Sequence, residues 1–170
     1  RLAFGSSAKL RYATLTGGNW ISETIEDLAE NPSLALGSTG TPYVIYNRLS
    51  QGSTTASVKY AYLSGALWIS QTVDREGFVG NYPSLVPDLT GQLHVSYQYD
   101  PTGSGSELRY AQRIGDTWLT ETVESGNTWG EYTSLAIGPD DNPAVAYHAN
   151  NAGIRFARWN GSTWMFEDST

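Results

Sequence analysis

The 170 residues carry ten Lys and Arg against seventeen Asp and Glu, a formal charge of -7, with 39% hydrophobic and 12% aromatic residues. That apolar fraction excludes a disordered tail, and the negative charge repels phosphate backbones and anionic headgroups, so neither nucleic acid nor a membrane surface is an expected partner. Cys is absent, which excludes a disulfide framework, a thiolate nucleophile and a Cys-ligated metal, and leaves the compartment open. No apolar run approaches the roughly 18 residues of a membrane helix, and a first residue of Arg rather than Met reads as a processed or excised piece.

In chain order, the first apolar runs are RLAF, then LRYATLTGG, then NWISETI. The next four are NPSLALG, TPYVIY, VKYAYLSG and LWISQTV, and the pattern then repeats through YPSLVPD, QLHVSYQY, ELRYAQRIG and TWLTETV to YTSLAIG, NPAVAYH, GIRFARWNG and TWMFEDS. Stacking these runs places Trp20, Trp68, Trp118 and Trp164 in one column, separated by 48, 50 and 46 residues, and Tyr46, Tyr97 and Tyr147 in another at 51 and 50. We label the runs of one unit A (SLAL), B (YVIY), C (VKYA) and D (WISQTV). Each is short, and the connections are rich in Gly, Pro, Asn, Asp and Ser, so the unit reads as a four-stranded antiparallel meander. Run C alternates, with Leu10 and Tyr12 on one side and Arg11 and Ala13 on the other, which is strand rather than helix spacing.

Four strands in a period of 46 to 51 residues resembles the blade of a β-propeller, in which small sheets stack radially around a channel. The expected fold is all-β: one domain over 1–170, with blades at 1–27, 31–76, 82–126 and 132–170. The first unit lacks run A, so the count is 15 strands, about 3.75 blades. Run A, small and aliphatic, is the expected innermost strand. The stretches GGNWISETI and GDTWLTETV resemble sialidase-type Asp-box repeats in the placing of Gly and aromatic, although the Ser and Asp that open such a box are absent. The repeat length also resembles that of propeller lectins.

Recurring charges carry a structural expectation. A basic residue precedes the aromatic of every run C, at Arg11, Lys59, Arg109 and Arg155, and Glu23, Glu121 and Glu167 recur in run D with Gln71 as the neutral variant. Midpoints at Gly17, Gly65, Gly115 and Gly161 predict that each basic residue faces its run D partner across the hairpin. The recurring Trp residues read as blade packing. His94 and His148 do not recur and support neither a triad nor a zinc site. GPDDNP around Asp140 and Asp141 reads as a tight turn rather than a calcium loop, and the sequon at Asn160 as a turn. No cofactor and no metal is expected.

Binding is expected where the copies differ. The D to A and B to C connections lie at one end of the ring and vary, whereas the opposite turns do not. Aromatic and polar residues of the longer D to A connections, Phe78, Asn81, Tyr82, Asn127, Trp129, Glu131 and Tyr132, form the candidate site. The chain is therefore read as a non-enzymatic binding module, with a glycan stacked on those aromatics. Two alternatives stand beside it: a glycoside hydrolase or lyase using Asp74, Glu76, Asp100 or Glu131, and a self-assembling piece without a ligand. The missing inner strand predicts that a second copy, in a homodimer or higher assembly, completes the ring.

Overall fold

The structure is a computed structural model that describes residues 2–6, 9–50, 56–75, 78–100, 105–126, 129–149 and 153–169, with backbone alone for 2–6, 78–80 and 129. The described residues form fifteen strands and no helix. The first blade is β1 (Leu2–Ser6), β2 (Lys9–Thr16) and β3 (Asn19–Asp27); the second is β4 (Ala29–Leu36), β5 (Pro42–Leu49), β6 (Ala56–Ser64) and β7 (Leu67–Asp74). The third is β8 (Phe78–Pro87), β9 (Leu93–Asp100), β10 (Ser106–Ile114) and β11 (Thr117–Gly126), and the fourth is β12 (Trp129–Ile137), β13 (Pro143–Ala149), β14 (Gly153–Trp159) and β15 (Trp164–Asp168). Every blade is an antiparallel meander in sequence order, and one parallel bridge, Ala56 to Phe78, joins the second blade to the third. This is the β-propeller architecture, with three complete four-stranded blades and a first blade of three strands.

The strands β4, β8 and β12 pack against one another and against β1, β5 and β9 of the preceding blade, which makes them the innermost strands. Each carries a bulge at the same place: residues 31 and 32 bulge opposite β5, 82 and 83 opposite β9, and 132 and 133 opposite β13. A Ser just past the bulge links each inner strand to the next. Ser33 Oγ accepts the Leu85 N–H at 3.3 Å, and Ser84 Oγ accepts that of Leu135 at 3.0 Å.

The hairpin between the last two strands of a blade corrects the expected charge pairing. Two-residue turns at Gly17–Gly18, Gly65–Ala66 and Gly115–Asp116 centre the register half a residue later than a single Gly midpoint does. Arg11 therefore faces Thr24, Lys59 faces Thr72, Arg109 faces Thr122, and in the fourth blade Arg155 faces Asp168. Glu23, Gln71, Glu121 and Glu167 instead lie opposite the aromatics Tyr12, Tyr60, Tyr110 and Phe156. Because strand side chains alternate between faces, this shift of one position moves the acids to the other side of the blade.

Each blade consequently has a basic leading face, toward the preceding blade, and an acidic, aromatic trailing face, toward the following one. The faces meet at every junction. Glu26, at the end of β3, accepts from Lys59 Nζ at 2.8 Å, Arg48 Nε at 3.1 Å and the Tyr46 hydroxyl. Asp74 accepts from the Tyr97 hydroxyl at 2.8 Å and Arg109 Nη1 at 2.9 Å. Glu124 accepts from Arg155 Nη1 at 2.8 Å and the Tyr147 hydroxyl. Burial and the neighbouring carboxylate push all three Tyr hydroxyls far above the ordinary phenol range. Arg109 also stacks on the Tyr99 ring, 3.4 Å from its centroid.

A second link lies farther out. Trp68 Nε1 donates to Glu23 at 3.0 Å and Trp164 Nε1 to Glu121 at 3.1 Å, while the same rings pack edge-on against Tyr12 at 5.0 Å and Tyr110 at 5.5 Å. Between the second and third blades Trp118 meets Tyr60 at 5.6 Å, but Gln71 replaces the acid and neither Trp118 Nε1 nor Gln71 Oε1 has a hydrogen-bond partner among the described residues. Trp68, Trp118 and Trp164 are half-buried between blades as the packing reading requires; Trp20, on the first blade's leading face, is 55% exposed. The core follows the junctions, in three clusters that each sit between successive blades, centred on Tyr46, Tyr97 and Tyr147.

Two predictions follow from these contacts. Burial opposes the Glu26 charge, but hydrogen bonds from Lys59, Tyr46 and Arg48 outweigh it and hold the carboxyl below its ordinary value. Its contribution is complete above the unfolded value of about 4.3 and is lost as pH falls through the lower folded value. Urea midpoints measured from pH 6 down to pH 3 should fall, and fall less steeply in Glu26→Gln. Trp164→Phe deletes a hydrogen bond to a carboxylate that Trp118→Phe does not, so by denaturant unfolding it should cost about 1 kcal/mol more; equal costs would remove the Trp–Glu link from the stability of the junction.

Candidate functional site

A groove lies between the third and fourth blades, at the end that carries the turns between β8 and β9, β10 and β11, β12 and β13, and β14 and β15. It has a volume of about 550 Å³ and is lined by Tyr110, Gln112, Glu121, Asn142, Trp159 and Trp164, with His94, Leu119, Thr120, Asp141 and Pro143 completing the wall. Trp159 and Trp164 meet at 62° with ring centroids 5.7 Å apart, forming an aromatic corner. Glu121, anchored by the Trp164 indole, presents its carboxylate at the rim.

Comparison of the repeat columns explains why the groove opens here. At the preceding junction the equivalent space is filled: Tyr43 and Tyr62 stack on Tyr60 at 6.0 and 5.5 Å, and Arg113 lies over the Tyr60 ring at 5.6 Å. One blade later His94 takes the Tyr43 column, Gln112 that of Tyr62, and Trp159 that of Arg113. Two large aromatics thus become smaller polar residues, and the guanidinium becomes a flat apolar face.

His94 is 2% exposed and held at both ring nitrogens. Its Nε2 lies 3.2 Å from Asp88 Oδ2, and Nδ1 contacts the Tyr110 hydroxyl. Asp88 is itself fixed by the turn, where its Oδ1 accepts from the Thr90 and Gln92 N–H groups and the Thr90 hydroxyl, each at 2.8 Å. Burial raises the Asp88 carboxyl, yet the bonds from Thr90, His94 and Gln92 bring it below its ordinary value. A carboxylate there accepts the Nε2 proton, which leaves Nδ1 to accept from Tyr110. The chain Asp88–His94–Tyr110 sets the groove's back wall in one position. Sequence reasoning weighed His94 only as a triad or zinc residue and did not consider Gln112 or Trp159; the available signal was that the three variable columns they occupy meet at one junction.

The residues expected from sequence lie at the opposite end. Tyr82 and Tyr132 are brought together, ring centroids 4.1 Å apart, and both have left-handed backbone, φ 52° and 51°, at the inner-strand bulges. A hydrogen bond with Tyr132, with partial burial, pushes the Tyr82 phenol above its ordinary value. A left-handed conformation is uncommon for a bulky residue and costs of order 1 kcal/mol or more. Tyr132 is 65% exposed. Asn81 is half-buried and accepts from Asn47 Nδ2 at 3.0 Å, which ties it to the second blade. Glu131 lies 3.4 Å from His148 Nδ1. Phe78 begins β8 and Trp129 begins β12, both with backbone alone described, and Asn127 lies outside the described residues. Next to Trp129, Gly130 has φ 84°, and a Cβ there would meet Leu108 Cα at 2.9 Å, so only Gly lets β12 approach β10.

Among the carboxylates weighed for catalysis, Asp74 is engaged by Tyr97 and Arg109, and Glu76 lies outside the described residues. The GPDDNP segment is a turn, with Gly138 and Asn142 joined by a backbone hydrogen bond of 2.9 Å and Asp141 at φ 58°. Asn160 likewise caps its own turn, its Oδ1 accepting the Ser162 and Thr163 N–H groups at 3.0 and 2.9 Å.

No family model matches this chain, and no curated protein matches it. Solved structures do. A protein of unknown function from Dyadobacter fermentans superposes with a TM-score of 0.71 at 12% identity over 97% of this chain, which spans only 59% of that protein. A fucose lectin from Kordia zhangzhouensis, solved with methyl-fucoside, gives 0.54 at 15% identity, over 82% of this chain and 99% of the lectin. A xylan β-1,4-xylosidase from Bacillus halodurans gives 0.53 at 14% identity, over 99% of this chain and 41% of the enzyme. At these identities the likeness is one of fold.

The column argument makes a prediction about space. His94→Tyr combined with Gln112→Tyr restores the aromatic filling of the preceding junction and should close the groove with a change in thermal midpoint of no more than a few degrees. A crystal structure of the double variant with the groove still open would separate its shape from these two residues.

Proposed function

We propose that this chain is a non-catalytic, glycan-binding part of a β-propeller ring, and that it takes a neutral sugar in the groove between the third and fourth blades. The observation that carries this is the contrast between adjacent junctions: His94, Gln112 and Trp159 stand where Tyr43, Tyr62 and Arg113 fill the junction between the second and third blades. What they leave is an aromatic corner beside amide and carboxylate groups. A sugar has an apolar face of C–H groups and a rim of hydroxyls, which suits stacking on Trp159 or Trp164 with hydrogen bonds to Gln112, Asn142 and Glu121. The fucose lectin among the structural neighbours supports the class of ligand, and the xylosidase is a reminder that the same fold hosts hydrolases. Binding rather than hydrolysis is favoured because the well-buried acid Asp74 holds a blade junction together.

A second location is favoured by one observation, the strained pair Tyr82 and Tyr132 at the other end of the inner strands. Their rings, with Asn81 and Glu131, are the described part of the aromatic-loop site expected from sequence. Ring completion by a second copy belongs to the same reading.

Glycan-array screening followed by titration calorimetry with the best methyl glycoside tests the assignment. Trp159→Ala should weaken binding by at least tenfold, and the double His94→Tyr, Gln112→Tyr variant should abolish it. Undiminished affinity in that double variant, with loss in Tyr82→Ala or Tyr132→Ala, would move the site to the opposite end. No binding to any glycan by wild-type protein, with hydrolysis of an aryl glycoside, would replace the reading by an enzymatic one.

A further inference from the structure

The groove between the third and fourth blades has the walls of a cation site. Three rings meet there edge to face: Trp164 stands against Tyr110 at 66° with centroids 5.5 Å apart, and against Trp159 at 62° and 5.7 Å. Such a corner turns negative π faces toward the space beside it. It is also held in place, because the Tyr110 hydroxyl is bonded to His94, which is bonded in turn to Asp88. Glu121 and Asp141 add two carboxylates to the lining, and no Lys or Arg lies in it. The Trp164 indole that donates to Glu121 Oε1 is neutral and leaves the acid's charge uncompensated. The guanidiniums nearest along the neighbouring strands are committed elsewhere, Arg109 to Asp74 and Glu107, Arg155 to Glu124 and Asp168.

At the preceding junction the chain fills the same place with a cation. The Arg113 guanidinium lies over the Tyr60 ring, 5.6 Å from its centroid, and the residue opposite Tyr60 is the neutral Gln71. One blade later Tyr110 takes the Tyr60 column, Trp159 that of Arg113, and Glu121 that of Gln71. The seam thus loses a guanidinium and gains a ring and a carboxylate, the two groups that attract one.

We propose that the groove is a site for an ammonium group, held against the π faces of Trp159 and Trp164 with Glu121 as its hydrogen-bond acceptor, and that the ligand bearing it is an amino sugar with a free amine. This rests on the sugar-groove reading above for the rest of the ligand and adds the charge by which the groove selects. An amino sugar keeps the C–H face that stacks on an indole, and its ammonium adds a cation–π contact and a charge-assisted hydrogen bond. A neutral sugar binds through the stacking alone, less tightly. A uronic acid is rejected, because its anion would face Glu121 and Asp141 with no Lys or Arg in the lining to receive it.

Titration calorimetry at about pH 6, where an aliphatic amine is protonated, tests the proposal with methyl glucosaminide, methyl glucoside and methyl glucuronide. The amine should bind at least about fivefold more tightly than the neutral glycoside, and the uronate more weakly than either. Glu121→Gln, which keeps an acceptor for the Trp164 indole, should cut the ratio of amine to neutral affinity to about twofold or less. Trp159→Arg, which installs the preceding junction's cation, should remove the preference for the amine altogether. Choline against its neutral isostere 3,3-dimethylbutanol puts the same question without a sugar: choline should change the tryptophan fluorescence and the alcohol should not. Equal affinity for the amine and neutral glycosides overturns the ammonium site, as does a preference that survives Glu121→Gln, and the sugar reading then stands without it. Binding of choline with no binding of any glycoside does the reverse, keeping the ammonium site and overturning the sugar as its source. No response to either choline or methyl glucosaminide overturns the proposal outright.

Discussion

The structure depends on a half-residue displacement of a turn. Because the last hairpin of each blade turns on two residues rather than one, acids and bases that look like cross-strand partners are sent to opposite faces of the sheet. An ion pair within a hairpin would have been solvent-exposed and nearly neutral for stability. Sent apart, the bases meet a second set of acids from the neighbouring sheet, and these pairs become the mortar between blades. Glu26, Asp74 and Glu124 are each surrounded by a cation and a Tyr hydroxyl from the next sheet, half shielded from water, where hydrogen bonds to a charged group contribute more. Removing one partner there would leave another charge buried without compensation, which is the costly case.

That arrangement also explains how a site can arise without disturbing the fold. The carboxylate link holds each junction near its middle, and the inner-strand Ser link holds the second and third junctions near the centre. The outer zone toward the turns is then left with spare freedom, and the three junctions use it differently. Between the second and third blades it is packed with Tyr43, Tyr60, Tyr62 and Arg113. Between the third and fourth it is hollow, and its back wall is held by the Asp88–His94–Tyr110 chain. The junction whose outer zone is filled is also the one whose Trp–acid bond is absent, Gln71 standing opposite Trp118. Packing and hydrogen bonding are thus traded between neighbouring seams of one scaffold.

The blade count, the strand count and the innermost place of run A were legible in the sequence, because the Trp and Tyr columns repeat with a period that admits one architecture. The absence of run A from the first unit could be counted too. Register was not legible: Gly17, Gly65 and Gly115 mark the turn, but a turn of one residue and a turn of two differ by half a step in the midpoint, and the composition Gly-Gly, Gly-Ala, Gly-Asp does not decide between them without the strand twist. The site was legible only in part. Tyr82 and Tyr132 stood out as extra aromatics in lengthened connections, and the inner-strand bulges bring them into contact. His94 was visible as a residue in a variable column, and variation in one column looks like drift. It becomes informative only when the fold shows that Gln112 and Trp159, remote in sequence from it, lie in variable columns beside the same space.

The opposite character of the two blade faces has an evolutionary corollary. A genetic duplication or deletion of one 46 to 51 residue unit keeps the main link of every seam, since the cation–carboxylate contact recurs at each described junction. Blade number is then free to drift among descendants without a crisis of stability. A groove written across one particular seam behaves differently: duplicating the units on either side of it copies half a pocket into a new setting, and only a duplication that carries both flanking blades together transmits it whole. Lineages built from such units should therefore vary readily in ring size while inheriting their pockets in pairs of blades.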